Sequence, residues 1–428
     1  MTHTLATGRF ATLIKLTLAA GAKVSSAVIV FALTALVTRN MPNDEAGLFL
    51  LGLSLLAVLS IFFRLGLDNV ILRFLSAHGT ALIAQEKLNR GLLWIATTTI
   101  PVTLFGMVFS KEIAVHIFNK PAFGEVLFWF LPALPAMAIF FLLSMAFQSQ
   151  HRVIITTIFQ KLGISTLFIG GFGYLLINKP LVLNAESSAR VYTAAAIVMC
   201  VAAIIVWFSQ RDTTFSLKSY ADPELKSASM NLWIASCMGL AVEWSGVLIA
   251  GAILTAKDVA LLSAAQRTAM LTSFVLMVVN MVVAPRYARM WKEQNLAGIE
   301  RLAKYSTRGM IFMVIPVVIV MFVFPEKLMG LFGEGYEAAA TLLTIMAVGQ
   351  FINVATGSVG YLLNMSGHED DFRRVTLFTG PFSIICSLLF IHQFGLIGAA
   401  LATAVGVGIQ NIAALMMVKK RLGFLPIG

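Results

Sequence analysis

The sequence predicts an all-α integral membrane protein of about twelve transmembrane helices, arranged as two six-helix lobes related by a pseudo-twofold axis along the membrane normal. Three observations predict it. Apolar stretches of about twenty residues follow one another along the chain, basic residues collect in alternate gaps between them, and several residues recur at a near-constant offset in the second half.

A run of about 20 apolar residues crosses the roughly 30 Å hydrocarbon core as a helix. Such runs fall near 16–37, 46–67, 91–110, 126–147, 158–177, 191–210, 231–254, 259–284, 308–328, 338–363, 376–393 and 396–418. Lysine and arginine gather on the cytoplasmic side of such runs. With the N-terminus inside, cytoplasmic segments hold 22 of the 31 basic residues, in groups such as Arg73, Lys87 and Arg90, or Arg286, Arg289, Lys292, Arg301 and Lys304, or Lys419, Lys420 and Arg421. The other side holds seven: Arg39, Lys111, Lys120, Lys179, Arg190, Lys257 and Lys327. Both termini are therefore expected in the cytoplasm. Arg9 and Lys15 precede the first run as in a signal peptide, but that run is too long and no small-x-small site ends it, so it is expected to remain as a helix.

The repeat rests on matched pairs. Glu45 and Asp258 are 213 apart, as are Arg73-Phe74 and Arg286-Tyr287. Pro101 and Pro316 differ by 215, Phe118-Asn119 and Phe332-Gly333 by 214, and His151 and His368 by 217. Six spans per half put both halves in one orientation, and transporters built this way bind near the midplane between their halves. The hydrophilic stretch Arg211 to Asn231 lies where the halves join. The expected organisation is residues 1–210 as the N-terminal lobe, 211–230 as a cytoplasmic linker and 231–428 as the C-terminal lobe. The segments 68–90 and 285–304 mix basic and apolar residues, as interfacial helices or as anchored loop helices.

With 59% apolar and 12% charged residues, the chain departs from soluble composition, where charged residues run near 25%. The net charge of +11 suits anionic headgroups, at about 1 kcal/mol per basic residue, rather than nucleic acid. Cys200, Cys237 and Cys386 all fall in expected spans, where cysteine behaves as a small hydrophobe. The six histidines show no paired metal-ligand spacing, and there is no GxSxG or Walker sequence and no large extramembrane loop, so neither an enzyme nor a cofactor is expected.

A charge inside hydrocarbon costs at least about 2.5 kcal/mol and needs a wet cavity or a partner. Glu243 lies midway along the seventh span and Arg267 at similar depth in the eighth, counted from the turn near Ala256. Two readings stand: an intramembrane ion pair, or a cavity in which Arg267 meets an anionic substrate and Glu243 carries a coupling proton or balancing charge. Lys23, a few residues into the first span, either snorkels to the interface or faces the cavity. Arg64 and Asp68 are expected at the interface. Gln148, Asn280, Gln350, Asn353, Gln410 and Asn411 are intramembrane amides, which bond between helices or face substrate. Gln350 and Asn353 join Lys23, Glu243 and Arg267 as the candidate central-cavity set. Pro101, Pro132, Pro135, Pro316 and Pro381 free backbone carbonyls and bend helices.

Val259 to Trp291, VALLSAAQRTAMLTSFVLMVVNMVVAPRYARMW, and Gly330 to Glu369 resemble the second half of polysaccharide (O-antigen) flippases, and Arg39 to Ser76 resembles their opening. That family sits in the superfamily of multidrug, oligosaccharidyl-lipid and polysaccharide exporters, with the MATE exporters and lipid II flippases. The resemblance implies a MATE-like fold in a bacterial inner membrane. It also implies movement of undecaprenyl-diphosphate-linked oligosaccharide to the outer leaflet for O-antigen, capsule or exopolysaccharide assembly. The implied partners are that lipid-linked substrate, membrane lipids, and polysaccharide polymerase and chain-length machinery. The lipid II branch carries more arginines in its first helix, where this chain has only Lys23. The second reading is a MATE-like proton- or sodium-coupled exporter of small cationic compounds, with Glu243 as its cation site.

Overall fold

The structure is a computed structural model and describes residues 21, 25, 28–78, 82–150, 152, 155–156, 158–180, 183–209 and 222–427. Nine helices among the described residues are long and apolar enough to cross a membrane, and Val28–Asn40 and Gly163–Asn178 are shorter apolar helices. The chain is a multi-pass integral membrane protein. It divides into two compact units, Met1–Cys237 and Met238–Gly428.

The first unit opens with α1 (Val28–Asn40) and α2 (Asn43–Phe63). Asp44 and Glu45 favour the start of α2 by opposing its dipole. Left-handed Leu65 (φ 54°) and Gly66 (φ 71°) end it. A side chain at Gly66 would lie 2.5 Å from the Ser229 carbonyl oxygen and the Trp233 nitrogen, so this turn needs glycine for both conformation and space. Then come α3 (Leu67–His78), α4 (Leu82–Val108), α5 (Ser110–His116), α6 (Phe123–Phe130) and α7 (Ala133–Ser149). A π-helical turn, Ile158–Leu162, leads into α8 (Gly163–Asn178), and α9 (Ala185–Phe208) starts at a capping box between Asn184 and Ser187. The Glu45 carboxylate also accepts the Ala185 amide at 2.7 Å, tying α2 to α9. Rings fill this core: Phe49 lies 5.3 Å from both Phe130 and Phe168, with Tyr192 against all three. Residues 210–221, most of the expected linker, and His151 lie outside the described residues. The rest of the linker is helical, since α10 (Pro223–Ile253) begins at Pro223 and runs on through the division between the units.

The second unit continues with α11 (Ala256–Ala269), capped by Thr255 and Asp258, and a 3-10 turn at Met270–Thr272 leads to α12 (Ser273–Lys292). Next come α13 (Leu296–Val323), α14 (Pro325–Met329), α15 (Ala340–Ala355), α16 (Val359–Met365) and α17 (Glu369–Leu422). At about 81 Å, α17 is too long for one crossing. It bends at Gly395 (φ 56°, ψ −129°), between the spans expected at 376–393 and 396–418. The span expected as one run over 338–363 is interrupted instead. Thr356, left-handed Gly357 and Ser358 separate α15 from α16, and the apolar pattern conceals the break because it continues on both sides.

The units repeat a plan. Pro101 sits seven residues before the end of α4 and Pro316 seven before the end of α13. Each helix is followed by a short helix and a left-handed residue, Asn119 (φ 52°) or Gly333 (φ 119°). A ring pair closes each turn, Phe118 with Phe123 at 5.1 Å and Phe332 with Tyr336 at 6.1 Å.

Candidate functional site

The polar set inside the second unit is built on α10, α11, α12 and α15. The Thr255–Asp258 capping box fixes where α11 begins, and thereby which residues face α10 twenty-odd positions back. Gln266 reaches that helix: its amide Nε2 donates to the Glu243 carbonyl oxygen at 2.9 Å. This bond puts Glu243 and the residue before Arg267 at one level. Both Glu243 and Arg267 are half-buried.

Gln350 and Asn353, one turn apart on α15, meet the first residue of α12. The Ser273 hydroxyl donates to Gln350 Oε1 at 2.7 Å, and Asn353 Nδ2 donates to the same oxygen at 3.2 Å. The Gln350 side-chain oxygen thus accepts two bonds. Gln266, Gln350 and Thr403 line a recess of about 10 Å³, room for about one water, with Ala269, Met346, Gly349, Ala404 and Val407. Gln266 Oε1 is buried without a protein partner.

Of the expected set, Gln350 and Asn353 are in direct contact and Glu243 is joined through its backbone, while Lys23 lies outside the described residues. Gln266, Ser273 and Thr403 escaped the sequence reading; the polar pair Gln266-Arg267 inside an apolar run was the signal for the first. Gln148 bonds Gln160 at 3.1 Å, and Asn411 turns back onto the Val407 carbonyl of its own helix.

In the first unit, two groups of charges pair internally. Arg64 and Asp68, expected at the interface, form an ion pair of 3.1 Å in which the Arg64 side chain is 10% exposed, with its guanidinium 4.7 Å from the Phe141 ring centre. Lys87 Nζ lies 2.7 Å from Glu224, 3.4 Å from Asp222 and 4.2 Å from the centre of the Phe74 ring, and Arg90 lies 2.7 Å from Asp222. Burial pushes the Asp222 carboxyl up, but the Leu225 amide, Arg90 and Lys87 together outweigh it and hold the carboxyl below the usual carboxylate range. These contacts fasten the first turn of α10 to α4.

A family model described as "Polysaccharide biosynthesis protein" matches residues 15–291. The chain belongs to that family. A second model, MatE, matches residues 233–389. Among curated proteins, the chain is 26% identical over 255 residues to the probable low-salt glycan biosynthesis flippase Agl15 of Haloferax volcanii, covering 57% of this chain and 51% of that protein. The match therefore spans about half of that relative's length. It is 24% identical over 438 residues to the uncharacterized membrane protein MJ1068 of Methanocaldococcus jannaschii, covering 93% of this chain and 82% of that one. Its fold is that of the lipid II flippase MurJ in an inward closed conformation (TM-score 0.77, 12% identity, 94% of this chain and 87% of that one). It is also that of the Vibrio cholerae MATE transporter VcmN (TM-score 0.67, 13% identity, 96% of each chain). The fold is MATE-like.

Proposed function

We propose that this chain is a flippase that carries an undecaprenyl-diphosphate-linked oligosaccharide across a bacterial inner membrane by alternating access, for O-antigen, capsule or exopolysaccharide assembly. The observation that carries the reading is the polar set of α10, α11, α12 and α15, placed within a membrane-spanning chain of the polysaccharide biosynthesis family. In this reading Arg267, with Lys23, offsets the charge of the diphosphate, and Glu243 balances Arg267 in the absence of substrate or carries a coupling proton. Gln350 and Asn353 present amides to sugar hydroxyls. The polyprenyl tail stays in lipid. An inside-negative potential assists outward movement of the anionic headgroup by about 2.3 kcal/mol per charge per 100 mV, so no nucleotide hydrolysis is required. Substrate delivery and use by polymerase and chain-length machinery belong to the same reading.

The test measures surface glycan at equal protein abundance in cells lacking the native copy. Arg267→Ala is expected to abolish export, and Arg267→Lys to keep part of it, because a point charge still attracts phosphate although the bidentate fork is lost. Full export by Arg267→Ala removes the headgroup role. The MatE match over residues 233–389, which includes Glu243, favours a second reading as a proton- or sodium-coupled exporter of small cationic compounds. There Glu243→Gln raises sensitivity to cationic drugs and leaves surface glycan unchanged.

A further inference from the structure

The fifth residue of α4 is Glu86 and the fifth residue of α13 is Glu300, and each begins the same pattern: Glu86, Lys87, Leu88 and Arg90 in one, Glu300, Arg301, Leu302 and Lys304 in the other. Both glutamates bind the cation four residues on, Glu86 to Arg90 at 3.6 Å and Glu300 to Lys304 at 2.8 Å. An aromatic precedes each pattern: Phe74, twelve residues before Glu86, lies beneath Lys87, and Tyr287, thirteen before Glu300, has its hydroxyl 3.4 Å from Ser306 Oγ and so registers α12 against α13.

The copies differ in what meets the cations. In the first unit a carboxylate sits between them: Asp222 touches Lys87 and Arg90 together, and Lys87 is 9% exposed. In the second unit Arg301 is exposed and has no ion pair among the described residues, and Lys304 is 36% exposed. Arg286 and Lys292, exposed on the neighbouring α12, also lack ion pairs among the described residues, so the second copy keeps its positive charge.

We infer that Arg301 and Lys304 form a binding site for the phosphate of an anionic lipid headgroup, the position that the protein's own Asp222 carboxylate fills in the first copy. The pairing of two cations with one oxyanion is the geometry already present at Asp222, and a phosphate offers the same oxygens with more charge. The level along the helix agrees. Arg301 lies nine residues, roughly 13 Å of helix, before Met310, where the apolar stretch of α13 begins. A headgroup layer of about 5–7 Å and a long arginine side chain close that distance. The site is independent of the transport reading, because it asks only what the protein retains.

The experiment uses purified full-length protein in detergent, offered equal amounts of phosphatidylglycerol and phosphatidylcholine, with retained lipid counted by native mass spectrometry. The wild type is expected to retain phosphatidylglycerol over phosphatidylcholine. The Arg301→Gln/Lys304→Gln double variant should lose that preference by about tenfold or more, as expected for two cations removed at a headgroup surface. Arg301→Lys, which keeps the charge, should retain most of it. Equal retention by wild type and double variant, or no preference between the two lipids, overturns the site. Displacement of the phosphatidylglycerol by inorganic phosphate at matched concentration overturns the lipid source.

Discussion

At the third residue of α2 stands Glu45 and at the third residue of α11 stands Asp258, and from there the two units follow one plan with different interiors. The first unit is filled with rings: Phe49, Phe130, Phe168 and Phe172 are all nearly inaccessible. Besides its buried rings Tyr287, Phe332 and Tyr336, the second unit has small residues in close approach. A side chain at Gly246 would lie 2.4 Å from Thr403 Oγ1, one at Gly349 would lie 2.6 Å from the Ala404 Cα, and Ser245 and Ser387 share a hydroxyl bond of 3.0 Å. At the 213-residue offset, Gln266 and Arg267 correspond to Leu53 and Ser54, and the Ser54 hydroxyl bonds the Leu50 carbonyl of its own helix. The shared plan serves the fold. Polar chemistry that appears in one copy alone marks where the molecule departs from that need.

The largest effect expected from this contrast is on the ring-filled side. Phe49→Ala removes the ring common to the contacts with Phe130, Phe168 and Tyr192, and should cost about 3–5 kcal/mol. Thermal unfolding in nanodiscs measures it, with glycan export per folded molecule unchanged. A loss below about 1 kcal/mol would mean that the aromatic core is not what holds the first unit. Gly246→Val tests the second unit by the opposite operation, addition instead of deletion. The new β-carbon meets Thr403 Oγ1 at 2.4 Å and the Ala399 carbonyl at 3.2 Å, and the overpacking should cost about 1–3 kcal/mol in the same melt.

The charge cluster on α4 gives a pH-dependent test. The Asp222 carboxyl is held below its unfolded value, so its stabilising contribution is fully present above the ordinary aspartate range near pH 4 and is lost as pH falls through the lowered folded value. The melting temperature of the wild type should therefore fall on acidification below about pH 4 more steeply than that of Asp222→Asn. At neutral pH the substitution should cost less than about 3 kcal/mol, because Glu86 and Glu224 still compensate Arg90 and Lys87. Parallel pH curves for the two proteins would show that Asp222 is not the titrating anchor of α10.

Legibility in the sequence followed how far apart the partners lie. Hydrophobic runs and the paired prolines act locally, and each was readable from neighbouring residues. The Glu86 and Glu300 patterns are local too, yet they lie in hydrophilic gaps outside the apolar runs that carry the fold signal. The burial of Lys87 was not readable, since its partners Asp222 and Glu224 lie 135 and 137 residues away in what reads as a solvated linker. Nor was the bond from Gln266, whose acceptor is a backbone oxygen and leaves no trace in residue type.

Gln266 gives the finest test, because stability and function separate there. Gln266→Leu restores the residue type that Leu53 supplies in the first unit, keeps the volume close and removes the donor to the Glu243 carbonyl. One net hydrogen bond is worth about 1 kcal/mol, and the loss of the buried, unpartnered Oε1 recovers part of that, so the melt should move little. Under the proposed function, export should nevertheless fall severalfold if the level of Glu243 beside Arg267 matters to the headgroup, since the Gln266 bond ties α11 to α10 at the Glu243 carbonyl. Gln266→Glu sharpens the point. It keeps the length but replaces the amide donor by an acceptor facing an acceptor, and should lower export further than leucine does. Wild-type export in both variants would show that the polar residues peculiar to the second unit serve helix packing, as the rings do in the first.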